Sequence, residues 1–396
     1  MKTDVHSQPL EVDESLVPKS VLVMPIAVNG WAYERLLPKL RELYGTRFVI
    51  FAPRSKHDYI STNWCCPEDK IIVTEDIDNA CSAGSEVSDD AESIKAQDFE
   101  KKYRLNYFQD IIQLDRSWSA PFLGRSPWSP FGKLKTPRLN DMTKRINNYI
   151  HRAEDVIRDE KIDLLLMWPL DALSASFVAV AEAQGIPVSY PYVSSRKSLL
   201  YWTSGAYCDD SQHRLAFEST PECEPLSVAD IVPPASVTAE IHQMDQKHSL
   251  IKFAKTVAWK IFYRLEFLYL DLRRLDFRKK SRINFFDDLV QQAYRYYFYK
   301  RIGTISERNA DVLNEKPFVY FSLSLEPEFS VQARSKEFND QATIVKQIAM
   351  SLPLGYELVI KEHVLLGRRN LSFYEDLLKF PNVRMAHPSV RGIDLA

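Results

Sequence analysis

Apolar positions change their period several times along the chain, and each change marks an element. Val21-Leu22-Val23-Met24 is a continuous apolar run closed by Pro25, which predicts a buried strand. Leu36, Leu37, Leu40 and Tyr44 then recur at helical spacing between Trp31 and Tyr44, with Gly45 placed as a C-cap. Phe48-Val49-Ile50-Phe51 predicts a second strand, closed by Pro53. Strand, helix and strand in that order make a parallel crossover unit. The succession returns with a helix over Leu139 to Glu160, a strand over Asp163 to Trp168, a helix over Ser174 to Gln184 capped by Gly185, and a strand over Ile186 to Tyr190. A Rossmann-like sheet is the expectation for this part of the chain. From Pro317 the pattern starts again. Strands are predicted at Phe318 to Phe321, Tyr356 to Ile360 and Val383 to Met385, helices at Asp340 to Ser351 and Phe373 to Phe380, and the start of one more helix at Gly392 to Ala396. A Rossmann-type domain ordinarily carries about five or six strands, so this second one reads as minimal or incomplete.

Three stretches break the pattern. Glu75 to Glu100 holds nine acidic residues against one lysine, together with Ser82-Ala83-Gly84-Ser85, and reads as a solvated loop or insertion. Trp118 to Pro137 is rich in proline and tryptophan and reads as irregular. Ile251 to Ile302 carries thirteen Lys/Arg and five Asp/Glu, a net +8 that leaves -10 for the remainder of a chain whose total is -2. Phe253, Val257, Ile261, Leu265 and Leu268 form a helical stripe there, ringed by Lys252, Lys255, Lys260 and Arg264. A second run sets Tyr294, Tyr296, Tyr297, Phe298 and Tyr299 beside Arg295, Lys300 and Arg301. One reading packs both as helices on the sheets, linking two domains. The other turns basic and aromatic groups toward an anionic membrane surface or a lipid-linked, phosphorylated acceptor. The two are compatible, since one face can pack while another binds. These breaks divide the chain into an N-terminal Rossmann-like domain over 18–236, a helical basic-aromatic linker over 237–314, and the start of a C-terminal Rossmann-like domain over 315–396.

Composition narrows the class. A chain of 396 residues with 45% hydrophobic and 26% charged positions is globular and long enough for two cores. Its balance of charge gives no pull toward nucleic acid. No run of uncharged apolar residues is long enough to span a bilayer, and Met1 to Val17 lacks the pattern of a secretory signal. Cys65, Cys66, Cys81, Cys208 and Cys223 are odd in number and irregular in spacing, which points to reduced thiols, a cytoplasmic setting and no metal site. Neither a glycine-rich dinucleotide fingerprint nor a P-loop occurs, and neither a G-x-S-x-G elbow nor an H-E-x-x-H helix.

Candidate chemistry gathers in the last eighty residues. Ser322-Leu323-Ser324-Leu325-Glu326-Pro327-Glu328 follows one predicted strand, and Lys361-Glu362-His363 follows the next. If the two strands are parallel neighbours, Glu326, Glu328, Lys361 and His363 converge on one sheet edge, where α/β folds bind ligands. Lys361 as a point charge and His363 as a donor would hold a phosphate. Glu326 and Glu328 would contact sugar hydroxyls or act as a base. Plain solvation of charged strand ends accounts equally well for the same residues.

Phe318 to Pro388 resembles the capsule polysaccharide biosynthesis family, which includes capsular Kdo transferases and related surface-carbohydrate proteins. The resemblance is carried in order by Tyr320-Phe321-Ser322-Leu323 with Glu326-Pro327-Glu328, by Asp340-Gln341, by Leu352-Pro353-Leu354-Gly355 with Val359-Ile360-Lys361-Glu362-His363, and by Phe373-Tyr374 with Pro381-Asn382-Val383. Gly185-Ile186-Pro187-Val188 and Ser195-Arg196 add a thinner match to that family's N-terminal domain. The resemblance implies a GT-B-like enzyme with two Rossmann-like domains, the C-terminal one holding a nucleotide-activated sugar, and no metal or other cofactor. In Kdo-transferring members that donor is CMP-Kdo. His363 matches the histidine of the family's His-Pro element, although Val364 stands where the proline would be. His387-Pro388 is a literal His-Pro pair one strand later.

The resemblance further implies glycosyl transfer to a glycan or lipid-linked acceptor at the inner face of the cytoplasmic membrane, with Arg196 as an acceptor-side candidate. A non-catalytic scaffold of a polysaccharide assembly complex is the alternative from another class. An epimerase of nucleotide sugars is compatible with the same fold.

Overall fold

The computed structural model describes residues 17–25, 30–82, 88–115, 118, 138–193, 200–203, 205, 214–215, 218–219, 250–251, 254–259, 261–262, 293, 296–324, 338, 340–363 and 369–395. The chain divides into two compact units, Met1–Asp115 with Pro137–Pro221, and Arg116–Thr136 with Glu222–Ala396. Both are α/β units built on a parallel sheet, and each is described by itself.

In the first unit, β1 (Ser20–Val23) leads through α1 (Gly30–Tyr44) to β2 (Arg47–Ala52), then through α2 (His57–Asn63) to β3 (Lys70–Val73). Gly45 closes α1 with φ +65, and its N–H bonds the Arg41 carbonyl at 2.9 Å, as its position predicts. α3 (Thr74–Ser82), α4 (Asp89–Tyr103) and α5 (Leu139–Asp159) precede β4 (Leu164–Leu166), and α6 (Ala172–Ala183) precedes β5 (Val188–Ser189). Every pairing in this sheet is parallel and the strand order is β3-β2-β1-β4-β5, a doubly wound order. A short antiparallel pair, β6 (Pro191–Val193) with β7 (Leu200–Trp202), follows.

α5 buries Met142, Ile146, Tyr149, Ile150, Ala153, Val156 and Ile157, one face at helical spacing, and packs on α6. Gly185, with φ +73, ends α6 as expected, and Ile186 N–H reaches back to the Ala181 carbonyl at 2.9 Å. At the N-terminal end of the sheet the Glu160 carboxylate takes bonds from Arg47 (2.6 Å) and Lys70. Those cations hold its carboxyl below the usual glutamate range, the Arg47 bond contributing most.

The acidic stretch is a correction. Where a solvated loop was expected, α3 and α4 form, with 83–87 outside the described residues. Ser88 caps α4, its Oγ accepting from Ala91 N–H, and Asp89, Asp90 and Glu92 sit in the first turn, where the helix dipole favours carboxylates. The buried face of α4 is Glu92, Ala96, Phe99 and Tyr103. Buried Glu92 accepts from Asn147 of α5 at 2.6 Å, and Asn147 accepts from the Tyr107 hydroxyl at 2.7 Å. β3 is a second departure, an edge strand that the apolar pattern did not mark.

The second unit carries β8 (Phe318–Ser322), β9 (Glu357–Lys361) and β10 (Val383–Ala386), all parallel, in the order β10-β9-β8. α7 (Ala310–Leu313) precedes β8, α8 (Gln341–Ser351) connects β8 to β9, and α9 (Leu371–Leu377) connects β9 to β10. Gly392–Asp394 is a single 3-10 turn where the start of a helix was expected. Asp340 caps α8 through the Thr343 N–H.

The central strand β9 is buried at every position. Leu358 and Ile360 pack on one face with Phe298, Tyr299, Ile302 and Tyr374, while Val359 lies on the other with Leu313, Ala386 and Val390. The aromatic run from Tyr296 therefore contributes its buried members to the core of this unit. Arg301, on the same helical stretch, pairs with Glu375 at 3.4 Å. At the N-terminal end of β9, Glu357 accepts from Lys316 (2.7 Å) and Arg384 (3.2 Å), which hold its carboxyl low, Lys316 first.

Candidate functional site

In a parallel sheet all strands end on the same edge, so residues just past β8, β9 and β10 are neighbours whatever their separation in sequence. Ser322 pairs with Lys361, and Lys361 with Ala386, so the three strands end in register. Of the residues expected to converge there, Lys361 ends β9 and His363 follows it two positions on. Glu326 and Glu328 lie outside the described residues, as do Val364 and, in the first unit, Arg196.

Lys361 is the last residue of the central strand and only 6% exposed. Burial pushes its ammonium pKa down, and the neighbouring Glu362 charge opposes that shift only in part. Alternation along the strand explains the weak opposition, because Lys361 shares the face of Val359 while Glu362 lies on the face of Ile360. Glu362 is engaged there. Buried Arg369 reaches both of its oxygens, at 3.0 and 2.7 Å, the Tyr374 hydroxyl donates to Oε2, and His363 N–H donates to Oε1 at 2.8 Å. Among the described residues, no hydrogen bond or ion pair engages the Lys361 ammonium.

The group around Glu362 also holds the start of the segment after β8. Arg369 Nη2 donates to the Ser324 carbonyl at 2.5 Å. Gln341, at the start of α8 and buried, accepts from Ser324 N–H at 2.8 Å and returns a bond to its carbonyl at 3.3 Å. Phe373 stacks under the Arg369 guanidinium, 5.0 Å from ring centroid to carbon. Burial and the Glu362 charge raise the Tyr374 phenol well above its ordinary range, so it stays a proton donor to that carboxylate. The result is a fixed polar floor whose charges cancel, beside a lysine whose charge does not.

His387 follows β10 on the same edge but is fully buried. Its backbone N–H donates to the Glu307 carbonyl at 2.7 Å, its Nδ1 accepts from Ser389 N–H at 3.2 Å, and its ring meets the edge of Tyr299 at 5.3 Å. These contacts pack it into the core of this unit. His363 is half-buried beside Lys361.

Sequence reasoning missed Glu362, Arg369, Gln341 and Tyr374 as one connected group. Asp340-Gln341 and Phe373-Tyr374 stood out only as part of a resemblance. A concavity of about 610 Å³ bordered by Asn314, Lys316, Phe318, Tyr320 and Leu395 opens at the other end of β8, away from these groups.

In the first unit, the corresponding edge carries Trp168, stacked on Tyr190 at 5.1 Å and 7°, and Asp171, which caps α6 through Ser174 N–H at 2.8 Å. Burial raises the Asp171 carboxyl above its ordinary range. Among the described residues no cluster of His, Cys, Asp and Glu has the arrangement to hold a metal ion.

No family model matches the chain, and no curated protein matches it. Among solved structures, UDP-GlcNAc 2-epimerase from Neisseria meningitidis bound to UDP-GlcNAc is similar at 12% identity and a TM-score of 0.25, over 95% of this chain and 74% of that one. So distant a likeness carries no argument about the site.

Proposed function

We propose that the second unit binds the phosphate of a nucleotide-activated sugar at the C-terminal edge of its sheet, and that the chain serves glycosyl transfer in surface-polysaccharide synthesis. Lys361 is the observation that carries this reading. A buried ammonium with its pKa pushed down, engaged by no carboxylate among the described residues, is costly in the free protein and is relieved by an incoming anion. The edge of a parallel sheet is where α/β folds place such ligands. Glu362 does not compete, because Arg369 and Tyr374 hold it on the opposite face.

In this reading Lys361 stabilises negative charge as it develops on the departing nucleotide phosphate, and His363 donates a hydrogen bond to the same group. Glu326 and Glu328, following β8, contact the sugar or act as base, and Arg196 serves the acceptor side. The donor is CMP-Kdo or a related nucleotide sugar, used without a metal, and the acceptor is a glycan or a lipid-linked saccharide at the inner face of the cytoplasmic membrane. The family resemblance supports the sugar. The geometry supports the anion.

Calorimetric titration of the full chain with CMP-Kdo and with UDP-sugars tests the assignment. Lys361→Met, which keeps the volume of the stem, is expected to weaken donor binding by at least about tenfold, the loss of one charge-assisted contact. Affinity that also falls as the pH rises through the depressed lysine pKa would agree. Equal affinity of wild type and Lys361→Met would exclude the phosphate role of this residue, whatever the sugar.

A further inference from the structure

Among the described residues, the basic stretch of the second unit shows two helical segments used in different ways. Residues 296–305 turn Phe298, Tyr299 and Ile302 into the core. Residues 250–262 are helical at every described position and do the opposite. Leu250, Ala254, Ala258 and Ile261 recur at helical spacing and are all exposed, with Val257 half-buried among them. Ile251 at 70% and Phe262 at 67% exposure widen that apolar arc to roughly 140° of the helix, with no charge inside it. Lys255 is exposed beside the arc, and Trp259 is 61% exposed.

An amphipathic helix of a globular protein ordinarily buries its apolar arc. Here the arc faces outward, and its charge says what suits it. Between Leu250 and Arg264 the sequence carries Lys252, Lys255, Lys260 and Arg264 and not one carboxylate, within a chain that is otherwise net acidic. Apolar side chains that need to leave water, a tryptophan and Lys255 on one short helix, with further cations in the same stretch of sequence, match the boundary of an anionic lipid bilayer, where acyl chains take the arc and headgroups take the cations. No helix among the described residues is long and apolar enough to cross a membrane.

We propose that residues 250–262 are an in-plane docking helix for an anionic lipid surface. The helix lies along the headgroup boundary, with Leu250, Ile251, Ile261 and Phe262 inserted and the lysines over the phosphates. This inference is independent of the nucleotide-sugar reading, because it uses none of the residues around Lys361.

The test is co-sedimentation of the full chain with vesicles of phosphatidylcholine, with and without phosphatidylglycerol, across a salt series. Binding is expected to require phosphatidylglycerol and to weaken as salt rises. Lys255→Gln should lower the partition about fivefold, and Lys252→Gln/Lys255→Gln about twenty-fivefold. Phe262→Ser should lower it about tenfold through lost apolar insertion. Since Lys255 and Phe262 are exposed, thermal melting of these variants should match wild type, which separates lost docking from lost folding. Donor affinity in solution should also be unchanged in Phe262→Ser. Salt-insensitive binding to phosphatidylcholine alone, no sedimentation with either vesicle, or wild-type partition of the double lysine variant would each overturn the proposal, the first two favouring a protein partner for the arc.

Discussion

β1 and β8 each open a parallel sheet, and each hands the chain through a crossover to a neighbour on one side. Their surroundings then diverge. β1 gains β4 on its second side through α5, and Val21, Leu22 and Val23 are fully buried. β8 has β9 on one side and, among the described residues, no strand on the other, and its Val319 is 38% exposed. The two strands are about equally apolar, Ser-Val-Leu-Val against Phe-Val-Tyr-Phe-Ser. Composition therefore makes the strand, and topology decides how much it buries. Among the described residues, the chain leaving β8 is held at the C-terminal edge, where Arg369 and Gln341 bond Ser324.

That difference can be broken or sharpened by substitution. The largest effect is expected at Glu362→Ala, which leaves Arg369 buried without its carboxylate and should cost about 3–5 kcal/mol in urea unfolding of the second unit. A loss well under about 1 kcal/mol would mean that the ion pair does not hold this edge of the sheet. Leu22→Ala in the doubly flanked β1 should cost about 3 kcal/mol in the first unit.

Acid should weaken both units by a shared device. Glu160 and Glu357 are each held low by two cations at the N-terminal end of a sheet. Because the folded pKa lies below the unfolded one, their stabilisation is complete above the unfolded glutamate range and is lost as pH falls through the folded pKa. Arg47 and Lys316 are partly exposed, so each pair contributes about 1 kcal/mol or less. Glu160→Gln and Glu357→Gln should therefore flatten the acid limb of melting temperature against pH, one unit at a time. The smallest effect belongs to Val319→Ala, a few tenths of a kcal/mol at an open edge. A cost equal to that of Leu22→Ala would show β8 to be as enclosed as β1.

Much of the fold was legible because its core strands are unbroken apolar runs and its helices end on Gly45 and Gly185. α4 was not, since a helix whose buried face begins at a carboxylate and whose first turn is acidic looks like solvated chain. Glu92 is buried against Asn147, distant in sequence, which donates to it and itself accepts from the Tyr107 hydroxyl. β3 was short and lay at an edge, with only Ile72 buried.

The site divides in the same way. Lys361 and His363 announced themselves by following a strand. The pairing of Glu362 with Arg369 and Tyr374 depends on which face of β9 each residue takes and on the return of the chain through α9, neither of which spacing reveals. Whether the apolar face of 250–262 turns outward stayed open in the sequence for the converse reason, because a helical stripe looks the same whether it packs or not.

The central claim concerns one amino group. Selective ¹³C labelling of lysine, with the Lys361 Cε resonance assigned by Lys361→Met, would follow its titration in the free protein and with CMP-Kdo added. A pKa below the ordinary lysine range that rises when the nucleotide sugar binds is the predicted result. An ordinary pKa that the ligand leaves unmoved would contradict it.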